Sequence, residues 1–177
     1  MPYYAREVEP FIDAGRLAER VSALGAQITR DYQGKELTLL CVLKGSVFFA
    51  ADLARAIDLP LTLEFLGVSS YAGTETTGEV RVTADATQPL AGRHVLIVED
   101  IVDTGLTVKF LLENLKARRP ASVKVCALLE KPSRARTPID ITYRGFVIDD
   151  IFAVGYGLDF DGTYRNLPFI GRMRARA

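Results

Sequence analysis

Four short segments of mostly apolar residues constrain the fold of this chain more than any other feature. They span residues 37–43, 61–68, 94–98 and 123–129. Strands that are buried on both faces are rich in apolar residues in this way, because helices cover both sides of a parallel sheet. The alternation of these strands with helical segments predicts an α/β fold, a parallel sheet with helices on both faces. In such sheets ligands bind beyond the carboxyl ends of the strands.

The helices are predicted from apolar spacing and from capping residues. The first covers residues 13–31 with Asp13 as its N-cap, and two more are predicted over residues 46–57 and 104–118. The apolar stripe of the first helix consists of Leu17, Val21, Leu24 and Ile28. Shorter strands are predicted over residues 79–83, 146–148 and 151–154, a polar loop over 69–79 and a solvated basic tail over 171–177.

Composition indicates one folded domain and excludes several classes of function. A chain of 177 residues corresponds to a single domain, expected over residues 1–177, with a small lobe (the hood) formed mainly by about 135–177 and part of the N-terminus. The 22 basic and 22 acidic residues balance, which argues against a nucleic-acid binder. No apolar run approaches the roughly 20 residues of a membrane span, and the start lacks a signal-peptide pattern. We therefore expect a soluble, cytoplasmic protein without nucleic-acid or membrane partners.

The side chains available for chemistry are restricted. Cys41 and Cys126 lie in apolar runs and are interpreted as core thiols, and His94 is the only histidine. These three residues cannot form a zinc site of the usual kinds. Any chemistry must therefore depend on carboxylates, lysine, arginine, hydroxyls and backbone amides.

The segment Val95-Leu96-Ile97-Val98-Glu99-Asp100-Ile101-Val102-Asp103-Thr104-Gly105-Leu106-Thr107 carries the strongest functional signal. An apolar strand leads directly into two carboxylates, a short loop and the start of a helix. Helix N-termini present free backbone amides that bind phosphate, and threonine hydroxyls and a glycine favour the same ligand. Glu99 and Asp100 suit the vicinal hydroxyls of a ribose, or a magnesium ion bound to them. The alternative is an N-capped helix, with Asp103 or Thr104 as cap, beside two solvated acids.

This segment resembles the signature with which type I phosphoribosyltransferases bind phosphoribosyl pyrophosphate (PRPP), and it is most similar to the hypoxanthine-guanine branch of that family. The resemblance extends from about residue 37 to 169 and implies the type I fold with its hood. It implies that Leu43-Lys44-Gly45 forms a loop with a cis peptide at Leu43–Lys44, whose amides bind pyrophosphate. It also implies that Arg165 contacts pyrophosphate and that Ser69-Ser70-Tyr71 opens a mobile lid. The residues assigned to PRPP and nucleotide binding are Lys44, Gly45, Glu99, Asp100, Asp103, Thr104, Gly105, Leu106, Thr107 and Arg165.

On the purine side, the resemblance implies that Lys131 contacts the base and that Phe152 and Ala153 form its stacking and backbone contacts. An ammonium only donates, so Lys131 accommodates a 6-oxopurine and rejects the 6-amino group of adenine. The segment up to Asp159 resembles the metal-binding part of the family, so Glu99, Asp100 and Asp159 are the expected Mg²⁺ ligands. Asp161 is a competing acid at that position.

The expected reaction is transfer of 5-phosphoribosyl from PRPP to hypoxanthine or guanine, with Asp103 as the general base and pyrophosphate as the leaving group. Two departures from the family leave detail open, because many relatives have a basic residue at Leu106 and some a bulkier residue at Ala153. The alternatives are an RNA-binding, PRPP-sensing regulator of pyrimidine operons with a similar fold, and an orotate-, adenine- or uracil-specific transferase. Relatives form dimers and tetramers, so the resemblance implies a homodimer or homotetramer.

Overall fold

The computed structural model describes Tyr4, residues 7–70 and residues 80–174. In this part of the chain no helix combines the length and the apolar character needed to span a bilayer. The helices are α1 (Ala14–Asp31), α2 (Val47–Ala56) and α3 (Leu106–Lys116), with a 3-10 turn at Pro132–Arg134. The strands are β1 (Val8–Ile12), β2 (Leu37–Leu43), β3 (Leu61–Ser70), β4 (Val80–Ala84), β5 (His94–Val102), β6 (Ser122–Glu130), β7 (Tyr143–Val147), β8 (Ala153–Val154) and β9 (Ile170–Met173).

Six strands form the main sheet in the order β4-β3-β2-β5-β6-β7. All neighbouring strands are parallel except β4, which runs antiparallel to β3. Leu39 and Cys41 of β2 belong to one apolar cluster with residues of α1 and α2, whereas Leu40 and Val42 belong to a second cluster with residues of α3. Since successive residues of a strand point to opposite faces, helices cover both sides of the sheet. The predicted α/β architecture is confirmed.

Local predictions for the first helix and for the cysteines are also confirmed. The Asp13 carboxylate accepts the backbone N–H of Arg16 at 2.9 Å and caps α1. Gly25 lies where α1 crosses α2, and a Cβ there would come within 2.5 Å of the Ala56 carbonyl oxygen. Cys41 and Cys126 are free, fully buried thiols.

The ends of the described chain form a second sheet that the sequence did not predict. Its order is β1-β9-β8, with Val8 opposite Met173 in the antiparallel pair of β1 and β9. The prediction of a solvated tail over residues 171–177 was therefore wrong as far as residue 173, and Gly171 is buried in the small sheet. The segment from about residue 135, which was expected to form the hood, is divided between the two sheets. β7 belongs to the main sheet, whereas β8 and β9 belong to the small one.

Three predicted boundaries were wrong around the carboxyl edge of the main sheet. β5 continues to Val102 because its last residues still pair with β6, so Glu99 and Asp100 lie inside the strand. β3 continues to Ser70 by pairing with β4, so Ser69 and Ser70 belong to a strand. The helix expected from residue 104 begins only at Leu106. Tyr71 and the rest of the expected lid, residues 71–79, lie outside the described residues.

Candidate active site

A cavity of about 350 Å³ opens at the carboxyl edge of the main sheet. It is formed by the ends of β2 and β5, the start of α3 and part of the segment between β8 and β9. Of the residues predicted to bind ligands, it is lined by Lys44, Gly45, Glu99, Asp100, Asp103, Thr104, Gly105, Thr107, Asp159 and Arg165. A larger groove of about 660 Å³ between α1 and α2 contains none of the predicted residues. The smaller cavity is therefore the candidate site.

Two neighbouring carboxylates, Glu99 and Asp100, dominate the electrostatics of this cavity. Glu99 is only 6% exposed, and burial together with the adjacent Asp100 charge raises its pKa well above the ordinary value. Burial also raises the pKa of Asp100 to about 6, although the carboxylate accepts the Ile101 backbone N–H at 2.8 Å. Buried anions are costly unless they meet a cation or hydrogen-bond donors. This pair is suited to a ligand that supplies hydroxyl groups or a metal ion.

The turn after β2 brings the backbone close to these acids. The Leu43–Lys44 peptide bond is cis, as the family resemblance implied. A Cβ on Gly45 would lie 1.6 Å from Oδ2 of Asp100, and a Cβ on Gly157 would lie 1.9 Å from the carbonyl oxygen of Gly45. A Cβ at Gly157 would collide with backbone, and a Cβ at Gly45 would displace the Asp100 carboxylate. The two glycines thus let three segments that are distant in sequence meet without intervening side chains.

The start of α3 presents backbone amides at the same cavity. Gly105 is the N-cap residue, with φ of 81°, and makes no side-chain cap. The Thr104 hydroxyl accepts the Leu106 N–H at 3.4 Å, a long contact with the first amide of the helix. The N-cap position therefore belongs to neither Asp103 nor Thr104, although the Thr104 hydroxyl contacts the first amide. The Thr104 carbonyl accepts the N–H groups of Arg136 and Thr137, both at 3.1 Å, which fixes the loop before the helix. A helix N-terminus without a side chain at the N-cap position is suited to an anion.

Leu106 lies at the first position of α3 but does not line the cavity, and its side chain is 38% exposed. Thr107, one residue later, does line it. The departure from the family at residue 106 thus falls on a side chain outside the cavity wall.

Asp159 and Arg165 form an ion pair of 2.7 Å on the opposite wall. Arg165 also donates to the Gly157 carbonyl at 2.5 Å, and Asp159 accepts the Gly162 N–H at 2.7 Å. These contacts hold both side chains in the turn between β8 and β9. Asp161, the competing acid, is exposed and does not line the cavity.

Asp103 contacts a residue that the sequence analysis missed. Nε of Arg134 donates to the Asp103 carboxylate at 3.2 Å. A second missed residue is Asp150, whose carboxylate lies 3.6 Å from Nζ of the buried Lys131. For Arg134 the sequence did contain a signal: it follows Lys131 by three residues, so one short turn after β6 carries two cations.

The predicted purine contacts lie outside the 350 Å³ cavity. Lys131 is held beside the end of β5, because its backbone N–H donates to the Val102 carbonyl at 3.0 Å. Phe152 is 54% exposed and packs edge-to-face against Phe160 with ring centroids 5.5 Å apart. Ala153 is buried in β8 opposite Arg172. The structure therefore gathers the predicted phosphate and ribose groups in one cavity and leaves the predicted purine group beside it.

Among the described residues, no group of three or more His, Cys, Asp or Glu side chains is placed to hold a metal ion by itself. The donor set of the cavity nevertheless fits Mg²⁺, which takes one or two protein carboxylates and completes its shell with ligand oxygens and water. Glu99, Asp100 and Asp159 are the carboxylates available there.

Comparison with known proteins agrees with this geometry. A family model described as the phosphoribosyl transferase domain matches residues 10–161. The chain belongs to the phosphoribosyltransferase family. It is 46% identical over 172 residues to a hypoxanthine-guanine phosphoribosyltransferase of Mycobacterium avium, covering 93% of this chain and 85% of that protein. It is 47% identical over 152 residues to the Staphylococcus aureus protein of that name, covering 85% of each.

Solved structures of family members share the whole fold. A hypoxanthine phosphoribosyltransferase from Staphylococcus aureus superposes with a TM-score of 0.93 at 42% identity, covering 98% of this chain and 95% of that one. A Trypanosoma cruzi hypoxanthine phosphoribosyl transferase, studied for the role of its C-terminal region in oligomeric state and enzymatic activity, gives 0.89 at 40% identity, with coverage of 94% and 91%. The type I fold predicted from the resemblance is thereby confirmed.

Proposed function

We propose that this protein transfers the 5-phosphoribosyl group of PRPP to hypoxanthine or guanine in purine salvage, yielding IMP or GMP and pyrophosphate. The observation that carries the proposal is one cavity that brings together Glu99 and Asp100 of β5, the start of α3, the Lys44–Gly45 turn and Arg165. This combination matches a ligand with ribose hydroxyls, a phosphate and a pyrophosphate. The names of the similar proteins support the choice of base.

Binding of PRPP follows from the charges in the cavity. The 5′-phosphate would lie against the amides at the start of α3, with the hydroxyls of Thr104 and Thr107 as donors. Glu99 and Asp100 would accept the ribose hydroxyls, which replaces part of the solvation they lack. The pyrophosphate would lie toward the Lys44–Gly45 amides and Arg165, whose positive charge stabilises the leaving group.

The reaction breaks the bond from the anomeric carbon to pyrophosphate and forms a bond from that carbon to an imidazole nitrogen of the purine. The sugar carbon passes through an oxocarbenium-like state, as in other glycosyl transfers. The purine loses its imidazole proton, for which Asp103 is the proposed general base. Glu99, Asp100 and Asp159 would hold Mg²⁺, which when bound neutralises charge on the pyrophosphate and ribose oxygens.

Purine recognition is proposed for Lys131, Phe152 and Ala153. Lys131 would donate to the 6-oxo group, Phe152 would stack on the ring, and the Ala153 backbone would contact the base edge. The exposure of the Phe152 ring supports its role, because an exposed aromatic face is available to a flat ligand. The lid role of Ser70 and Tyr71 belongs to the same proposal.

The wider setting is also proposed. We place the enzyme in the cytoplasm as a single domain over residues 1–177, with the small sheet as the core of the hood. The contact of Gly157 with Gly45 supports a hood that reaches the cavity. A homodimer or homotetramer is expected, and light scattering coupled to size-exclusion chromatography tests it.

One panel assay tests the function. The protein is given PRPP and Mg²⁺ with hypoxanthine, guanine, xanthine, adenine, uracil or orotate in turn, and pyrophosphate release is measured. We expect release with hypoxanthine or guanine and none with adenine. Release only with uracil or orotate, or no release with any base, would contradict the proposal.

Asp103→Asn tests the mechanism. The variant should retain PRPP binding, because the amide keeps the shape of the side chain. Its turnover should fall by about 10²- to 10⁴-fold, the usual contribution of a general base. Turnover and PRPP affinity are measured separately, and wild-type turnover would remove Asp103 from this role. Asp161→Asn, which changes an exposed acid outside the cavity lining, is the matched control.

A further inference from the structure

Four side chains of alternating charge form a continuous row beside the cavity, running from Lys131 to Asp103. Nζ of Lys131 lies 3.6 Å from Oδ1 of Asp150, and the other oxygen of Asp150 lies 3.6 Å from Nη1 of Arg134. Nε of the same guanidinium lies 3.2 Å from the Asp103 carboxylate. The row thus connects the proposed base-recognising lysine to the proposed general base through two residues that have no assigned role.

The backbone holds both ends of this row against one strand. The Lys131 N–H donates to the Val102 carbonyl at 3.0 Å, immediately before Asp103, and the Arg134 N–H donates to the Lys131 carbonyl at 3.1 Å. The turn that carries Arg134 is therefore anchored to the end of β5. Ile148 donates to the Glu130 carbonyl at 2.9 Å, which brings the segment of Asp150 alongside.

Stability does not account for the row. The side chains of Asp103, Arg134 and Asp150 are 37%, 48% and 52% exposed, and exposed ion pairs contribute little to folding. Only the Lys131 side chain, 10% exposed, is largely removed from water. What the row does provide is orientation, because a guanidinium presents a planar set of donors and contacts two carboxylates at once.

We infer that Arg134 and Asp150 are positioning residues that fix the separation between the Lys131 ammonium and the Asp103 carboxylate. The inference rests on the proposed function, in which one purine offers its 6-oxo oxygen to Lys131 and its imidazole N–H to Asp103. The purine is rigid, so both contacts form together only when the two groups are correctly spaced. A four-carbon lysine side chain is too flexible to set that spacing alone.

The test compares Arg134→Gln with Arg136→Gln. Arg136 lies two residues further on, is exposed and makes no ion pair within the described part of the chain, so it controls for the loss of one positive charge. We expect Arg134→Gln to lower kcat with hypoxanthine by roughly 10- to 100-fold, the usual effect of misplaced catalytic groups. The KM for PRPP should be unchanged, and Arg136→Gln should retain wild-type constants. Wild-type kcat in Arg134→Gln would overturn the inference.

Repeating the Arg134→Gln substitution in the Asp103→Asn variant separates a positioning role from a general loss of structure. In Asp103→Asn the group to be positioned is already inactive, so adding Arg134→Gln should change kcat little further. An equal fold-loss in both backgrounds would overturn the inference. Asp150→Asn provides an independent variant if Arg134→Gln does not fold, and it should raise the KM for hypoxanthine but not for PRPP.

An inactive wild-type protein would refute the proposed function itself, whereas an active wild-type protein with unaffected variants would refute only the positioning role.

Discussion

The partly buried carboxylate of Asp100 leads to the sharpest prediction about stability. Removing its charge with Asp100→Asn should stabilise the folded protein at neutral pH while impairing PRPP binding. The amide can still accept the Ile101 N–H through the same oxygen that does so now at 2.8 Å. The substitution removes the free-energy cost of holding an anion away from water at the edge of the sheet. That desolvation is the main cause of the raised pKa of Asp100.

The magnitude follows from that pKa. Its rise from 3.8 to about 6 corresponds to a cost of at most about 3 kcal/mol at neutral pH, since each pKa unit is worth about 1.4 kcal/mol. Below about pH 3 the carboxyl is protonated in both the folded and the unfolded chain, and the cost vanishes. It grows as the pH rises through the interval up to about 6, because only the unfolded chain has then lost the proton.

Urea unfolding at pH 7.5 and at pH 4 measures the difference. At pH 7.5 the midpoint of Asp100→Asn should exceed that of the wild type by up to about 1.5 M, for an m value of about 2 kcal/mol/M. At pH 4, where about half of the unfolded chains still carry the proton, the difference should shrink to about 0.3 M. Asp161→Asn, at an exposed acid, should match the wild type at both pH values. A lower midpoint for Asp100→Asn at pH 7.5, or an equal difference at both pH values, would refute the reasoning.

Two further variants examine the glycine contact and the proposed purine lysine. Gly157→Ala should lower the free energy of unfolding by at least about 2 kcal/mol, because its Cβ would lie 1.9 Å from the Gly45 carbonyl oxygen at a φ of 105°. In the control Gly34→Ala the φ is 74° but no atom lies within 4 Å of the added Cβ, so the free energy of unfolding should fall by only about 1 kcal/mol. Equal urea midpoints for the two variants would contradict the steric account. Lys131→Met should lower kcat/KM for hypoxanthine by at least about 100-fold with an unchanged KM for PRPP, and wild-type kinetics would show that Lys131 does not recognise the base.

Elements set by local pattern were predictable from the sequence. The run at residues 37–43 coincides with β2, and the capping residue Asp13 marks the start of α1. The acids, the helix start and the turn after β2 could be placed together because the carboxyl ends of neighbouring parallel strands share an edge. The end of β5 was misplaced, since carboxylates inside a strand contradict the apolar pattern on which the prediction relied.

Features that depend on distant partners were missed. β1 and β9 pair across more than 150 residues of sequence, and neither has a pattern that distinguishes it from a polar terminus. Arg134 and Asp150 were missed for the same reason, because only the folded chain places them between Lys131 and Asp103. Local periodicity carries no information on such pairs.

The pairing of the first described strand with the last has a consequence for synthesis on the ribosome. The six strands of the main sheet have all been made once residue 147 has emerged, but β1 must wait for residues 170–173 before it finds its neighbour. The turn that carries Gly157, Asp159 and Arg165 lies between β8 and β9, so its closure onto Gly45 belongs to the same late event. A nascent chain released early would therefore hold a nearly finished sheet and an incomplete ligand cavity.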